Sequence, residues 1–236
     1  MTWASSPSTD EVDTSPTGVV SVQVGRARAY EWLGRRLRSS IDKRPVAGRV
    51  RVLATQLDGD EQADPEHHGG PDKAVYAYAS EDLRWWAQEL DRPGLDPGTF
   101  GENLTTTGID LRDAVVGERW RVGSALLQVS EPRTPCWKLG MRMQDPRFPR
   151  AFARARRPGA LLRVLEQGEV WAGAPVTVTR TPEHGITTAE VFALYLGERQ
   201  DADRVLSAPE LAAHWQQWAG HRTVWHLKDE RELHDA

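Results

Sequence analysis

Glu118-Arg119-Trp120-Arg121-Val122-Gly123-Ser124-Ala125-Leu126-Leu127-Gln128-Val129 is the stretch whose reading decides the fold. Two runs rich in Val, Leu and Trp, residues 118–122 and 125–129, flank Gly123-Ser124. A two-residue spacer with glycine closes a tight hairpin, because glycine reaches the positive φ that such turns require. The spacing predicts two antiparallel strands and, with them, a β-rich chain.

Working outward, Val20, Val22 and Val24 alternate with Ser21 and Gln23, the period of a strand with one buried face. Residues 31–38 read as a hairpin turning near Gly34, and 49–57 as a strand with Val50 and Val52 on one face. Ser80 is placed to cap a helix opened by Glu81 and Asp82, with Leu83, Trp86, Ala87 and Leu90 on one side. A shorter helix is expected after Asp145-Pro146, then strands at 161–165 and 176–179 separated by Gly168 and Gly173. Beyond Arg180 the pattern turns helical: Thr187 with Glu190, and Ser207 with Glu210 behind Pro209, both fit capping boxes. Trp215, Trp218 and Trp225 read as the packing of a small helical bundle. The expected organisation is a disordered tail over 1–17, a β domain over 18–180 and a C-terminal helical domain over 181–236.

The bulk numbers narrow the function classes. With 236 residues, 39% of them hydrophobic, the chain can bury one large core. A formal net charge of −4 supplies no global basic field, so no nucleic-acid polymer is expected and any anion site must be local. No run reaches the roughly 18 apolar residues of a membrane span, and the first 17 residues lack the basic start and apolar centre of a secretion signal. One cysteine permits no internal disulfide, which suits a reducing, cytoplasmic setting.

That cysteine, Cys136, lies in Pro132-Arg133-Thr134-Pro135-Cys136-Trp137-Lys138, read as a loop stiffened by two prolines. Arg133 and Lys138 would favour the thiolate, the form that binds soft metals, although a lone cysteine is more often a small buried hydrophobe. In His67-His68-Gly69-Gly70-Pro71-Asp72-Lys73 the glycine pair allows close backbone approach to an anion. There Lys73 adds charge and Asp72 can accept from a heterocycle's N–H groups. The plain alternative is an ordinary tight turn. Neither a Walker loop nor a Gly-x-Gly-x-x-Gly fingerprint is present, and His67-His68 lack the spacing of a zinc site. Glu102 and Asn103 either hold a ligand's polar edge or satisfy backbone at a strand end. Lys43 faces a ligand phosphate or, like most lysines, solvent. Arg150, Arg154, Arg156 and Arg157 read as an exposed basic face.

Taken in order, Lys43-Arg44-Pro45-Val46, His68-Gly69-Gly70-Pro71-Asp72-Lys73-Ala74-Val75-Tyr76, Gly101-Glu102-Asn103-Leu104 and Pro135-Cys136-Trp137-Lys138-Leu139 resemble the MOSC family, the molybdenum cofactor sulfurase C-terminal domain. The branch they resemble is the bacterial YiiM-like one, which adds a C-terminal three-helix domain. The resemblance implies a mainly β, distorted barrel-like fold with a few helices. It also implies a molybdenum cofactor (Mo-molybdopterin) rather than pyridoxal phosphate, with Cys136 as catalytic residue and metal ligand. By the same resemblance Lys43, His68, Gly69, Gly70, Asp72, Lys73, Asn103, Arg133 and Lys138 surround the pterin and its phosphate. The implied activity is reduction of small N-hydroxylated compounds, hydroxylaminopurine-type base analogues among them, with electrons from a separate donor protein. A sulfur carrier using a Cys136 persulfide and a non-catalytic molybdopterin carrier stay open beside it, as does a homodimer formed through the C-terminal tryptophans.

Overall fold

A computed structural model describes residues 17–64, 69–198 and 201–215. Its strands are β1 (Gly18–Val24), β2 (Arg28–Trp32), β3 (Arg35–Ser39), β4 (Arg44–Pro45), β5 (Val50–Val52), β6 (Val75–Ala79), β7 (Leu104–Thr107), β8 (Arg119–Val122), β9 (Ala125–Pro132), β10 (Ala160–Glu166), β11 (Gly168–Val170) and β12 (Val176–Arg180). Helices α1 (Ser80–Glu89), α2 (Trp137–Met143), α3 (Phe148–Ala155), α4 (Thr188–Tyr195) and α5 (Ala202–Leu206) complete it, with a 3-10 turn at Pro71–Lys73.

Eight strands form one mixed sheet in the order β12-β8-β9-β10-β6-β7-β1-β4, and the pairs β5–β11 and β2–β3 stand apart from it. The hairpin read from Gly123-Ser124 is its β8–β9 unit, with Val122 opposite Ala125. Only β6 and β7 run parallel, joined through α1, because a parallel pair needs a crossover long enough to hold a helix. Strands β6 and β9 are buried along their whole length, so their apolar runs do not alternate.

The sheet is not closed into a barrel, contrary to the expectation. Its first and last long strands, β1 and β12, meet at one isolated bridge, Gly18 to Pro175. The far end of β1 is instead covered by β4, two residues long and ending in Pro45, which has no N–H to extend a ladder. Other differences are local. Ser80 is the first helical residue rather than the cap, a shift of one position. Helix α2 starts directly after Cys136, in what reads from sequence as loop, and β11 lies between the two glycines taken as separators. The Thr187–Glu190 capping box forms. The Ser207–Glu210 box does not: Ser207 closes α5 and donates its hydroxyl to Arg204 O at 2.6 Å.

Packing occurs in three clusters. One joins Trp120, Leu127, Val75 and Leu104 with β5. The second is aromatic: Tyr78, Trp86, Phe100, Phe148 and Phe152 hold α1, α2 and α3 on the sheet. The third gathers Val191, Leu194, Val205, Leu211 and Trp215 around Val116 and Ile186, which seats the C-terminal segment against the end of the sheet. Trp218 and Trp225 and residues 1–16 lie outside the described residues.

Candidate functional site

One cleft collects most of the residues singled out from sequence. Lys43, Lys73, Asn103, Arg133, Cys136 and Lys138 all line it, together with Ser39, Ser40, Asp60, Gln62, Tyr76 and Glu131. Its walls come from separate parts of the chain: the base of the β2–β3 hairpin, the segment over 60–63, the 3-10 turn with the start of β6, the turn before β7, the end of β9 with the start of α2, and Leu161 of β10.

Cys136 is half-buried and is the residue preceding α2, held extended at φ −140°, with its carbonyl accepting from Leu139 N at 3.0 Å. Proline at 135 and the helix that follows fix both flanks of the thiol. Lys138 is 6% exposed with Nζ 3.5 Å from Asp64 Oδ2. Burial lowers its pKa, opposed by the attraction of Cys136 and Asp64. Arg133 lies 5.3 Å from the Tyr76 ring centre and 5.6 Å from that of Phe152, distances that suit a cation over an aromatic face. Its Nη1 is buried without a hydrogen-bond partner among the described residues, and a buried guanidinium N–H left unpaired is costly until something accepts from it.

The floor is an ionic network. Lys43, 8% exposed, places Nζ 2.5 Å from both oxygens of Asp60, itself 5% exposed. Asp60 also accepts from Gly25 N at 2.7 Å and from Asn103 Nδ2 at 2.9 Å. Burial lowers the Lys43 pKa while the pairing with Asp60 raises it. Asn103 is further committed to backbone, accepting from Tyr76 N at 3.1 Å and donating to Gln23 O at 3.3 Å. Glu102 is fully buried and accepts from Gly98 N and Phe100 N, closing the turn that precedes β7. Both residues of that motif thus serve the backbone, and Asn103 also reaches the cleft wall.

Glu131 is the acid of the opposite wall, 1% exposed. Its Oε2 accepts from Trp215 Nε1 at 2.5 Å and lies 3.0 Å from His214 Nε2, while Oε1 has Lys73 Nζ at 3.9 Å. Through this carboxylate the C-terminal segment is fastened to the cleft.

Other predicted residues lie elsewhere. Asp72 does not line the cleft; its Oδ1 is 2.8 Å from Arg163 Nε, a contact of charges rather than an aligned hydrogen bond. The Gly70 amide is engaged by Gln62 Oε1 at 3.1 Å, and Gly69 adjoins it without lining the cleft. His68 falls outside the described residues. In the basic cluster Arg156 pairs with Glu198 and Arg157 with Asp82. Sequence reasoning missed Asp60, Gln62 and Glu131. For Asp60 a signal existed: a lysine that has to be buried needs a carboxylate, and Asp58-Gly59-Asp60 is the turn that could bring one.

Among the described residues no helix is long and apolar enough to cross a membrane, and no group of three or more His, Cys, Asp and Glu side chains is arranged to hold a metal ion.

Comparison with known proteins gives the family. The MOSC domain model matches residues 64–177, which include the glycine turn and Cys136. The protein YiiM of Escherichia coli (strain K12) is 34% identical over 200 residues, 83% of this chain and 88% of that protein. A protein of Gibberella moniliformis named a reductase is 36% identical over 178 residues, 72% of this chain but 31% of its own length. The crystal structure of YiiM from Geobacillus stearothermophilus superposes with a TM-score of 0.73 at 32% identity, covering 89% of this chain and all of the other. On family model, relatives and fold together, the chain belongs to the MOSC domain family.

Proposed function

We propose that the protein is a molybdenum-cofactor-dependent reductase of N-hydroxylated compounds, with Cys136 as the metal's protein ligand. The observation that carries this reading is the donor set of the cleft: one thiol beside Lys73, Arg133 and Lys138, with a buried guanidinium N–H that lacks an acceptor. The fit to the group is chemical. A soft thiolate suits molybdenum, and three cations suit the phosphate of a pterin. Since no wider cluster of metal-binding side chains is present among the described residues, the metal would arrive with ligands of its own and take one more from the protein. MOSC domains are commonly associated with this cofactor, and one relative is named a reductase.

When bound, the cofactor would supply the two-electron redox change that removes oxygen from an N–O bond. The chain's own residues do the rest. Lys73 and Arg133 would neutralise and orient the anionic cofactor, and Arg133 gains the acceptor it lacks. Reduction of a hydroxylamine to an amine and water consumes two protons, and Lys138 holds a proton next to the thiol under burial that weakens its hold. The carboxylates of Asp60 and Glu131 keep Lys43 and the cleft wall in place instead of meeting the phosphate.

The test is molybdenum per chain by elemental mass spectrometry for the wild type and Cys136→Ser, after expression in a host that makes the cofactor. Near-stoichiometric metal lost in the variant, with dithionite-driven reduction of an N-hydroxylated base analogue by the wild type, is the expected result. Cyanide-labile sulfur on Cys136 without molybdenum would identify a sulfur carrier instead, and bound pterin without turnover a cofactor carrier.

A further inference from the structure

The β2–β3 hairpin is rich in arginine. Residues 26–38 contain Arg26, Arg28, Arg35, Arg36 and Arg38 and a single acid, Glu31, in a chain whose formal net charge is −4. All five arginines are exposed. Elsewhere among the described residues exposed arginines are mostly answered by carboxylates: Arg44 by Asp42, Arg49 by Glu169, Arg51 by Asp58 and Arg204 by Glu190. Among the described residues no carboxylate stands within ion-pair distance of Arg26, Arg28, Arg36 or Arg38. The nearest acid by register, Glu31, lies opposite Arg36 across the ladder without pairing with it.

The hairpin is also well placed. Tyr30 and Trp32 pack one of its faces on the aromatic cluster, which leaves Ala29, Glu31, Arg36 and Arg38 on the other. Where β3 ends, Ser39 and Ser40 form part of the wall of the Cys136 cleft. The outward arginines of the ladder, Arg36 and Arg38, therefore lead away from Ser39 and Ser40 in the cleft wall.

We propose that this hairpin is the docking surface for an acidic electron-carrier protein, which seats on the arginines and delivers electrons at the mouth of the cleft. The inference rests on the reductase reading given above. Reduction of R–NHOH to R–NH2 and water takes two protons and two electrons, the N–O bond breaks, and the oxygen leaves as water. The sequence carries no flavin or nicotinamide fingerprint, so the electrons come from the carrier, an iron–sulfur or flavin protein that is itself oxidised. A folded acidic protein fits better than a polyanion. It covers a patch of limited extent, whereas a nucleic acid or a lipid surface would also meet the acidic remainder of the chain.

The experiment uses the full chain and the double variant Arg36→Glu/Arg38→Glu, both positions lying outside the cleft. Affinity for a flavodoxin, an acidic flavin-carrying electron carrier, is measured by calorimetry at about 20 mM and about 500 mM salt, where screening lengths differ several-fold. We expect wild-type binding at low salt, at least ten-fold weaker in the variant, with the difference gone at high salt. Carrier-driven turnover should fall in parallel, while dithionite-driven turnover, molybdenum content and melting temperature stay unchanged. Equal carrier affinity in the two proteins, no carrier binding by the wild type, or tighter binding to an anionic lipid vesicle or an oligonucleotide would each overturn the proposal. If dithionite drives no reduction by the wild type, the reductase reading fails, and the calorimetry still decides the docking surface.

Discussion

Replacing Asp60 by alanine removes the only carboxylate that, among the described residues, contacts the Lys43 ammonium, which is 8% exposed on the cleft floor. Two costs bound the result. Breaking a buried ion pair by deleting one partner typically destabilises by about 3–5 kcal/mol. Lys43 can escape that cost by losing its proton, and holding a lysine of ordinary pKa about 10.4 neutral at pH 7 costs about 4–5 kcal/mol. The two routes converge, so a loss of about 4 kcal/mol is expected, to which the stranded donors Gly25 N and Asn103 Nδ2 add a smaller share. The pH dependence separates this mechanism from simple loss of packing. In the variant the folded state holds Lys43 neutral while the unfolded chain binds the proton. Stability should therefore rise by about 1.4 kcal/mol per pH unit between pH 7 and 10, relative to the wild type, where Asp60 opposes the effect of burial. Urea denaturation followed by tryptophan fluorescence from pH 6.5 to 9.5 measures both quantities. A loss below about 1 kcal/mol, or one that does not shrink as the pH rises, would refute the idea that Lys43 is held charged in a buried site.

Three further outcomes can be checked independently. Trp86, 3% exposed, stacks on Phe152 with centroids 6.0 Å apart and donates to Tyr78 at 2.9 Å, so Trp86→Ala should cost about 3–5 kcal/mol in chemical denaturation; under about 1 kcal/mol would contradict the packing described. Gly159→Ala places a Cβ 2.5 Å from Ala77 O and under 3 Å from the Tyr76 and Tyr78 rings, at φ +68°. It should destabilise by about 2 kcal/mol or more and disturb the Tyr76 wall of the cleft, and an unchanged melting temperature would count against that close approach. Glu190, partly desolvated yet with its pKa lowered by the hydrogen bonds from Thr187 and the pairing with Arg204, contributes stability that is complete above the usual carboxylate range and lost as the pH falls through its own lower value. Glu190→Gln should flatten the acid limb of the stability profile below pH about 4.3, and an acid limb identical to the wild type would show that the capping box contributes nothing there.

How much of this was legible in the sequence depended on whether the signal was local. The Gly123-Ser124 turn and the Thr187–Glu190 box each express their physics within a few residues, and each appears as read. The strand at Val20–Val24 also forms, but an irregularity between Val19 and Ser21 breaks the alternation, so that Val20 is 45% exposed and Val19 joins Val22 in the core. The open sheet was not legible, because closure depends on whether β1 and β12 stay paired beyond Gly18 and Pro175, some 157 positions apart. Helix α2 was hidden behind Pro132 and Pro135, which read as loop chemistry, yet Pro135 stands just outside the helix, where its missing N–H is harmless. In the cleft, the residue types with distinctive chemistry, a lone cysteine and lysines beside glycine or proline, could be named beforehand. Their counterions could not, since Asp60 and Glu131 look like any surface acid until the fold buries them.

Glu131 faces two ways, and that makes the cleft observable from a distance. One oxygen accepts from the Trp215 indole and the other looks toward Lys73. Any anion that enters and draws Lys73 away, or any change in the charge on Glu131, alters the field at an indole that belongs to the C-terminal segment. Ligand occupancy and the seating of that segment are then thermodynamically linked, each changing the other by the same factor. With ten tryptophans in the chain, the difference in emission between the wild type and Trp215→Phe reads that coupling.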